Sequence, residues 1–99
     1  MRAVLHVDVV TLARVLLGVE VGKRSEICDR FFDRAHAADK YRKRFGRYHL
    51  DYGRGDLASA CWNAEKRSEP FLSDRNYAQC LGVIFERIVK GPRPSLERK

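Results

Sequence analysis

The segment KRSEICDRFFDRAHAADKYRKR, residues 23 to 44, sets the fold class, because its apolar side chains recur with the period of an α-helix. They are separated by four, four, three and three residues: Ile27, Phe31, Ala35, Ala38 and Tyr41. Cys28 and Phe32 widen this stripe, and polar side chains occupy the opposite face. Gly46 suits the position after a helix end. The segment therefore predicts one long amphipathic helix from about residue 23 to about residue 44.

Two shorter helices are predicted on either side of this one. The first covers residues 8 to 18, with Asp8 as the N-cap and Gly18 just past the end. Another follows Asp56, whose side chain suits an N-cap, and it carries small side chains that permit close helix packing. The apolar faces comprise Val9, Leu12, Ala13 and Leu16 in the first helix, and Leu57, Ala60, Cys61 and Ala64 in the other.

A fourth helix is predicted after the interruption SEPFLSD, residues 68 to 74. Ser73 or Asp74 caps its start, and Gly91 and Pro92 stop it. Its apolar positions follow the 3.6-residue period: Tyr77, Cys80, Leu81, Ile84, Phe85 and Ile88. No segment alternates with period two, so the chain is expected to be all-α, either a small four-helix bundle or an orthogonal helical array.

Length and composition favour one compact domain. A chain of 99 residues buries roughly 65% of its unfolded surface, which is enough for one core. Residues 1 to 91 are expected to form a single helical domain. Residues 92 to 99, PRPSLERK, have no apolar stripe and are expected to be a disordered basic tail.

The cysteines indicate a reducing compartment. The chain has an odd number of cysteines, namely Cys28, Cys61 and Cys80, and their spacing is not that of metal ligands. We therefore expect free, buried thiols. Asp8 and Arg14 interrupt the apolar opening, which therefore fits neither a secretory signal nor a membrane span. We expect a cytoplasmic protein with no membrane partner.

Candidate catalytic groups are weak. Asp29, Asp33 and His36 share one face of the long helix, but a metal site usually draws ligands from several elements. We interpret them as part of a solvated face with pairs such as Glu26 to Arg30. His6 and His49 have no recognisable nucleophile motif beside them, and YGRGDL, residues 52 to 57, matches no nucleotide-binding loop. We therefore predict no enzyme activity, no metal and no cofactor.

The best functional candidate is KYRKRFGRYHLDYGRGD, residues 40 to 56. Between residues 40 and 54 there are six basic side chains and one acidic, so this stretch carries five of the net seven positive charges. Such a concentration attracts phosphate backbones or acidic protein surfaces. The predicted contact set is Arg42, Lys43, Arg44, Arg47 and Arg54, with nucleic acid or an acidic protein as partner.

Aromatic side chains are interleaved with these charges. In one interpretation all four rings, Tyr41, Phe45, Tyr48 and Tyr52, are available to stack on bases. The interpretation that we favour is that Tyr41 and Phe45 continue the stripe of the long helix into the core. Tyr48 and Tyr52 then remain for stacking against bases, a common mode of single-strand recognition.

A second hypothesis is a protein-interaction or self-association module. It would use leftover apolar surface at Trp62, Phe71 and Leu72, or the wide stripe at Phe31 and Phe32. We expect Trp62 to pack under Phe71 and Leu72, and an exposed anchor is the alternative. Small bundles often complete their cores by dimerising, so a homodimer is a candidate assembly.

Three segments resemble a family of small uncharacterised alphaproteobacterial proteins of about this length. They are MRAVLHVDVVTLARVLLGV at the start, HAADKYRKRFGRYHLDYGRGDL around the loop, and EPFLSDRNYAQCL entering the last helix. The resemblance covers most of residues 1 to 90. It implies a small cytoplasmic helical domain without an assigned activity, and it carries no site residues over.

Overall fold

A computed structural model describes residues 1–91 and confirms the all-α class. The helices are α1 (His6–Leu16), α2 (Arg24–Phe45), α3 (Leu57–Ala60) and α4 (Arg75–Lys90), with a 3₁₀ turn at Val21–Lys23. Within these residues the only β-type pairing is an isolated antiparallel bridge between His49 and Gly53. The predicted tail, residues 92–99, lies outside the described residues.

The core lies where α1, α2 and α4 meet, with α3 packed against α1 and α2. Its largest fully buried side chains include Leu12, Leu16, Leu57, Tyr77 and Ile84. The three cysteines are free and buried, as predicted. Burial raises the pKa of the Cys28 and Cys61 thiols to about 12. These thiols therefore act as small apolar groups rather than nucleophiles.

The start of α1 differs from the prediction. The helix begins at His6 with Leu5 as N-cap, so Asp8 occupies the third helical position. From there its Oδ2 accepts a hydrogen bond from the Leu5 backbone N–H at 2.7 Å. Asp8 Oδ1 accepts a second bond, from the Ala58 N–H at the start of α3, at 2.9 Å. One buried carboxylate thus satisfies amides at the beginnings of two helices.

The limits of α2 and α4 agree closely with the prediction. α2 ends at Phe45, and Gly46 follows in a left-handed conformation with φ 71°. Asp74 caps α4 by accepting from the Tyr77 N–H at 2.9 Å, and Gly91 ends the helix with φ 74°.

α3 is one turn long, so the prediction that it extends to Ala64 is wrong. Asp56 does cap it, accepting from the Ser59 N–H at 2.9 Å. After Ala60, however, the Cys61 N–H bonds to the Ala58 carbonyl at 3.1 Å and the Ala64 N–H to the Cys61 carbonyl at 3.0 Å. These i to i+3 bonds tighten the chain and end the helix.

Two buried arginines join the helices. Arg24 Nε donates to the carbonyls of Leu16 and Val19, both at 3.0 Å, and Arg24 Nη1 donates to Gln79 Oε1 at 2.8 Å. The guanidinium therefore holds the end of α1 and the side of α4 against α2. It also places positive charge where the α1 dipole is negative.

Arg87 lies on the buried face of α4, together with Tyr77, Cys80 and Ile84. It pairs with Asp29 at 3.0 Å and lies over the Phe32 ring at 4.6 Å. Phe85 and Ile88, which belong to the predicted apolar positions of this helix, are exposed. The apolar positions of α4 therefore span a wider part of the helix surface than the neighbouring helices cover.

Candidate nucleic-acid interface

Asp39 organises the charges at the C-terminal part of α2. Its carboxylate is buried, Oδ1 accepts from Arg42 Nη2 at 2.8 Å, and Oδ2 lies 3.2 Å from Lys43 Nζ. The Met1 ammonium lies 3.2 Å from the same Oδ2. The Arg42 hydrogen bond, followed by the bonds from Met1 and Lys43, holds the pKa of Asp39 well below its usual range.

Arg42 is therefore not the exposed contact that the sequence predicted. Its side chain is half-buried against Asp39. Asp39 lies one residue before the stretch in which the charges were counted, so its neutralising effect was left out of the sequence estimate. Arg54 is also paired, with its Nη2 3.3 Å from Asp56 Oδ2.

The remaining predicted cations are open to solvent. Lys43 keeps 68% of its side chain exposed despite the Asp39 contact, and Arg44 and Arg47 are exposed. Within residues 1–91, neither Arg44 nor Arg47 has a carboxylate in ion-pair distance. Exposed Lys40 lies one helical turn before Lys43 and Arg44. We call Lys40, Lys43, Arg44 and Arg47 the basic end of α2.

Aromatic rings lie among these cations, but not as predicted. Phe45 is 53% exposed, so its predicted place in the core is wrong, and Tyr41 is half-buried. Helix α2 ends at Phe45, and none of the described helices covers that ring. Its ring centroid lies 4.7 Å from that of Tyr41, and the Arg44 guanidinium lies 5.5 Å from the Phe45 ring.

Tyr48 and Tyr52 differ in accessibility. Tyr48 is 56% exposed. Tyr52 is half-buried and stacks almost parallel on His49, with ring centroids 4.5 Å apart. The Arg34 guanidinium lies 5.5 Å from the Tyr52 ring centroid. Tyr48 is thus the predicted aromatic contact with the more open ring.

His49 has a structural role in the loop. Its Nδ1 accepts hydrogen bonds from the backbone N–H groups of Asp51 and Tyr52, both at 3.0 Å. A neutral ring with Nδ1 as acceptor carries its proton on Nε2. The histidine therefore fixes the loop that presents Tyr48 and Arg54.

The residues weighed as metal ligands have other contacts. Asp29 pairs with Arg87, and His36 Nδ1 lies 3.1 Å from the Met1 ammonium. Burial, followed by the charge of that ammonium, lowers the pKa of His36. The predicted Glu26 to Arg30 pair is present at 3.4 Å. Across the described part of the chain, no group of three or more His, Cys, Asp or Glu side chains is placed to hold a metal ion.

Trp62 is 44% exposed, and its Nε1 donates to the Asp51 carbonyl at 3.2 Å. Phe71 and Leu72 are also exposed. The expectation that Trp62 is covered by these two residues is therefore wrong, and the three side chains belong to the surface.

Sequence reasoning missed Asp39, Arg24 and Arg87 as buried charged groups. A signal existed for Asp39, because Arg42 and Lys43 follow it by three and four residues, the spacing at which helix side chains meet. No comparable local signal marks Arg24 or Arg87, because their side-chain partners are distant in sequence. Arg24 bonds to Gln79, and Arg87 pairs with Asp29.

In the part of the chain that the structure describes, no helix is both long enough and apolar enough to cross a membrane. No curated protein and no solved structure matches the chain significantly. A family model described as a domain of unknown function, DUF7742, matches residues 2–88. Since that match spans most of the chain, the protein belongs to the DUF7742 family.

Proposed function

We propose that the basic end of α2 binds the phosphate backbone of nucleic acid without reading its sequence. The observation that carries this proposal is the group of exposed cations Lys43, Arg44 and Arg47, with the exposed rings of Phe45 and Tyr48 between and beside them. Cations that neutralise phosphates release condensed counterions, which gives affinity independent of base sequence. Exposed rings add stacking with unpaired bases.

The other predicted contacts have smaller roles in this proposal. Arg42 and Arg54 already share their charge with Asp39 and Asp56, so each phosphate contact would compete with an existing ion pair. Tyr52 has one face against His49, which leaves it at the edge of the surface. Lys40 joins the contact set because it is exposed one turn before Lys43.

Stabilisation of the C-terminal end of α2 would by itself explain some of these basic side chains. Basic side chains in the last turn of a helix complement its dipole, and Arg42, Lys43 and Arg44 occupy the last turn of α2. Arg47 lies beyond Gly46, outside the helix, and Tyr48 has no part in a helix cap. These two residues favour binding over helix stabilisation alone.

The test is a titration of labelled single-stranded and double-stranded DNA and of RNA, at about 50 mM salt. The variant Arg44→Glu/Arg47→Glu removes two exposed cations of the basic end that have no carboxylate in ion-pair distance within residues 1–91. We expect wild type to bind with a micromolar Kd and the variant to bind at least about tenfold more weakly. Arg42 is left unchanged, since a glutamate there would face the buried Asp39 carboxylate.

The matched control is Lys23→Glu/Arg75→Glu, which changes the net charge equally at two other exposed positions. Lys23 lies at the opposite end of α2, roughly 30 Å from Arg44 along the helix. The control is expected to bind within about threefold of wild type. Equal losses in both variants would show an effect of net charge only, and no binding by wild type would refute the proposal.

A second candidate function is protein interaction through Trp62, Phe71 and Leu72, favoured by the exposure of all three. An acidic protein partner would also be attracted by the basic end, and binding of an acidic polypeptide but not of nucleic acid would favour that partner. In both cases the chain is proposed to be a binding protein without catalytic activity. We also propose that the protein is cytoplasmic and that its family is found in alphaproteobacteria.

A further inference from the structure

Helix α4 carries an apolar stripe on the side that faces away from the core. The stripe comprises Ala78, Gly82, Phe85 and Val89, all exposed. Phe85 is 51% and Val89 is 84% exposed. Their separations of four, three and four residues are those of a helix seam that packs against another helix. The buried residues Tyr77, Cys80, Ile84 and Arg87 lie on the opposite face.

Gly82 has no explanation within the single chain. It lies in the middle of α4, it is exposed, and a Cβ built on it would meet nothing within 4 Å. A mid-helix glycine destabilises a helix relative to alanine. A glycine on an exposed helix face is useful when a second helix approaches its backbone closely.

We propose that two copies of this chain associate through antiparallel packing of their α4 helices. The stripe is self-complementary in size: a two-fold axis between Val83 and Ile84 places Phe85 of each copy over Gly82 of the other. The same axis places Val89 opposite Ala78. Two large side chains thus meet two small ones, as an interface between identical surfaces requires.

The flanks of the stripe agree with this register. Leu81 and Ile88 lie along one side of the stripe. The same axis brings Leu81 of each copy near Ile88 of the other copy. Gln79 and Glu86 lie along the other side, where the amide of one copy can donate to the carboxylate of the other. The stripe itself carries no charge, so it can close although each copy has a net charge of +7.

The size of the contact sets its strength. The stripe spans twelve residues from Ala78 to Val89, and the eleven steps between them cover about 17 Å of helix. One helix pair of this length buries less than the roughly 1,200 Å² typical of stable complexes. The dimer therefore belongs to the weak class, with a Kd expected between about 10 and 500 µM.

Sedimentation equilibrium over that concentration range tests the proposal. Wild type is expected to dimerise, and Phe85→Ser to weaken the dimer about tenfold or more. Phe71→Ser removes a ring that is more exposed than Phe85, 87% against 51%, from another surface. It is expected to change the Kd by less than about twofold. A monomer at every concentration, or equal effects of the two variants, would overturn the proposal.

Exchanging residues tests the register itself. Gly82→Phe alone places ring against ring and Phe85→Gly alone leaves a gap, so each is expected to weaken the dimer. The double variant Gly82→Phe/Phe85→Gly restores both large-to-small pairs across the axis and is expected to recover affinity to within about fivefold of wild type. Additive losses would overturn the antiparallel register. The test uses no nucleic acid, so its result is independent of the function proposed above.

Discussion

Asp8 shows how one side chain links two elements that are far apart in sequence. It is buried, and its two oxygens accept from the N–H of Leu5, the N-cap of α1, and from the Ala58 N–H in α3. Neither bond is visible in the helical period alone, which places Asp8 at the start of α1 but does not specify its partners. The role in α3 depends on the approach of a segment fifty residues away.

Asp8→Asn is expected to destabilise the protein. Asparagine offers one acceptor oxygen where aspartate offers two, so one buried N–H loses its partner at a cost of about 1–3 kcal/mol. Urea unfolding measures the change in the free energy of unfolding. Asp51→Asn, at an exposed position, is the control and should lie within about 0.5 kcal/mol of wild type. An equal effect of the two substitutions would contradict the role assigned to Asp8.

Asp39 makes stability depend on pH. Arg42, Met1 and Lys43 hold the pKa of its carboxyl below the usual 3.8. Because the pKa is lower in the folded state, the stabilisation is complete above pH 3.8 and is lost as the pH falls towards the folded value. Unfolding free energies from pH 6 to below pH 3 should therefore decline less steeply for Asp39→Asn than for wild type. Parallel declines would show that the contacts of Asp39 do not stabilise the fold.

At the scale of the element, the sequence predicted helices better than it predicted what covers them. Gly46 predicted the end of α2, and Asp74 and Gly91 predicted the two ends of α4, each within one residue. These predictions succeed because a cap residue lies directly beside the helix end in the sequence. The length of α3 was overestimated, since its i to i+3 bonds beyond Ala60 depend on backbone geometry that apolar spacing does not specify. Phe45 and Phe85 lie on apolar arcs yet are exposed, because periodicity defines a helix face but not the neighbour that meets it.

Gly53 and Gly55, in the loop before α3, are explained by close packing against other segments rather than by a phosphate. Gly55 has φ 104°, and a Cβ there would lie 2.9 Å from Asp39 Oδ1. Its carbonyl accepts from the Arg2 N–H at 2.9 Å. Gly53 is similarly close to Ser59. The segment YGRGDL therefore folds tightly against α2 and α3 and holds Arg54 at the edge of the basic surface.

Gly55→Ala is expected to destabilise the protein more than Gly46→Ala. Both residues have positive φ, so alanine is strained at either site by about 1–2 kcal/mol. Only Gly55 also meets another segment, whereas nothing lies within 4 Å of a Cβ at Gly46. Thermal or urea unfolding should show an additional loss of roughly 1–3 kcal/mol for Gly55→Ala. Equal losses would mean that the loop relaxes away from Asp39.

At the scale of the whole molecule, charge is distributed unevenly and partly neutralised. The basic stretch is evident from the sequence, and the structure shows that carboxylates hold Arg42 and Arg54, whereas Lys43 stays 68% exposed beside Asp39. Three helices enclose a core whose buried arginines serve packing, while Lys43, Arg44 and Arg47 remain outside. The distinction between these groups depends on contacts with Asp39, Asp56 and Asp29, which a count of charges along the chain cannot supply.

The most direct test of the central claim is the salt dependence of DNA binding. Each phosphate neutralised on duplex DNA contributes about −0.9 to the slope of log K against log salt concentration. If each of the four cations of the basic end neutralises one phosphate, the slope should be roughly −3.6 for wild type and about −1.8 for Arg44→Glu/Arg47→Glu. A wild-type slope near zero, or the same slope in both proteins, would contradict a phosphate-binding role for the basic end of α2.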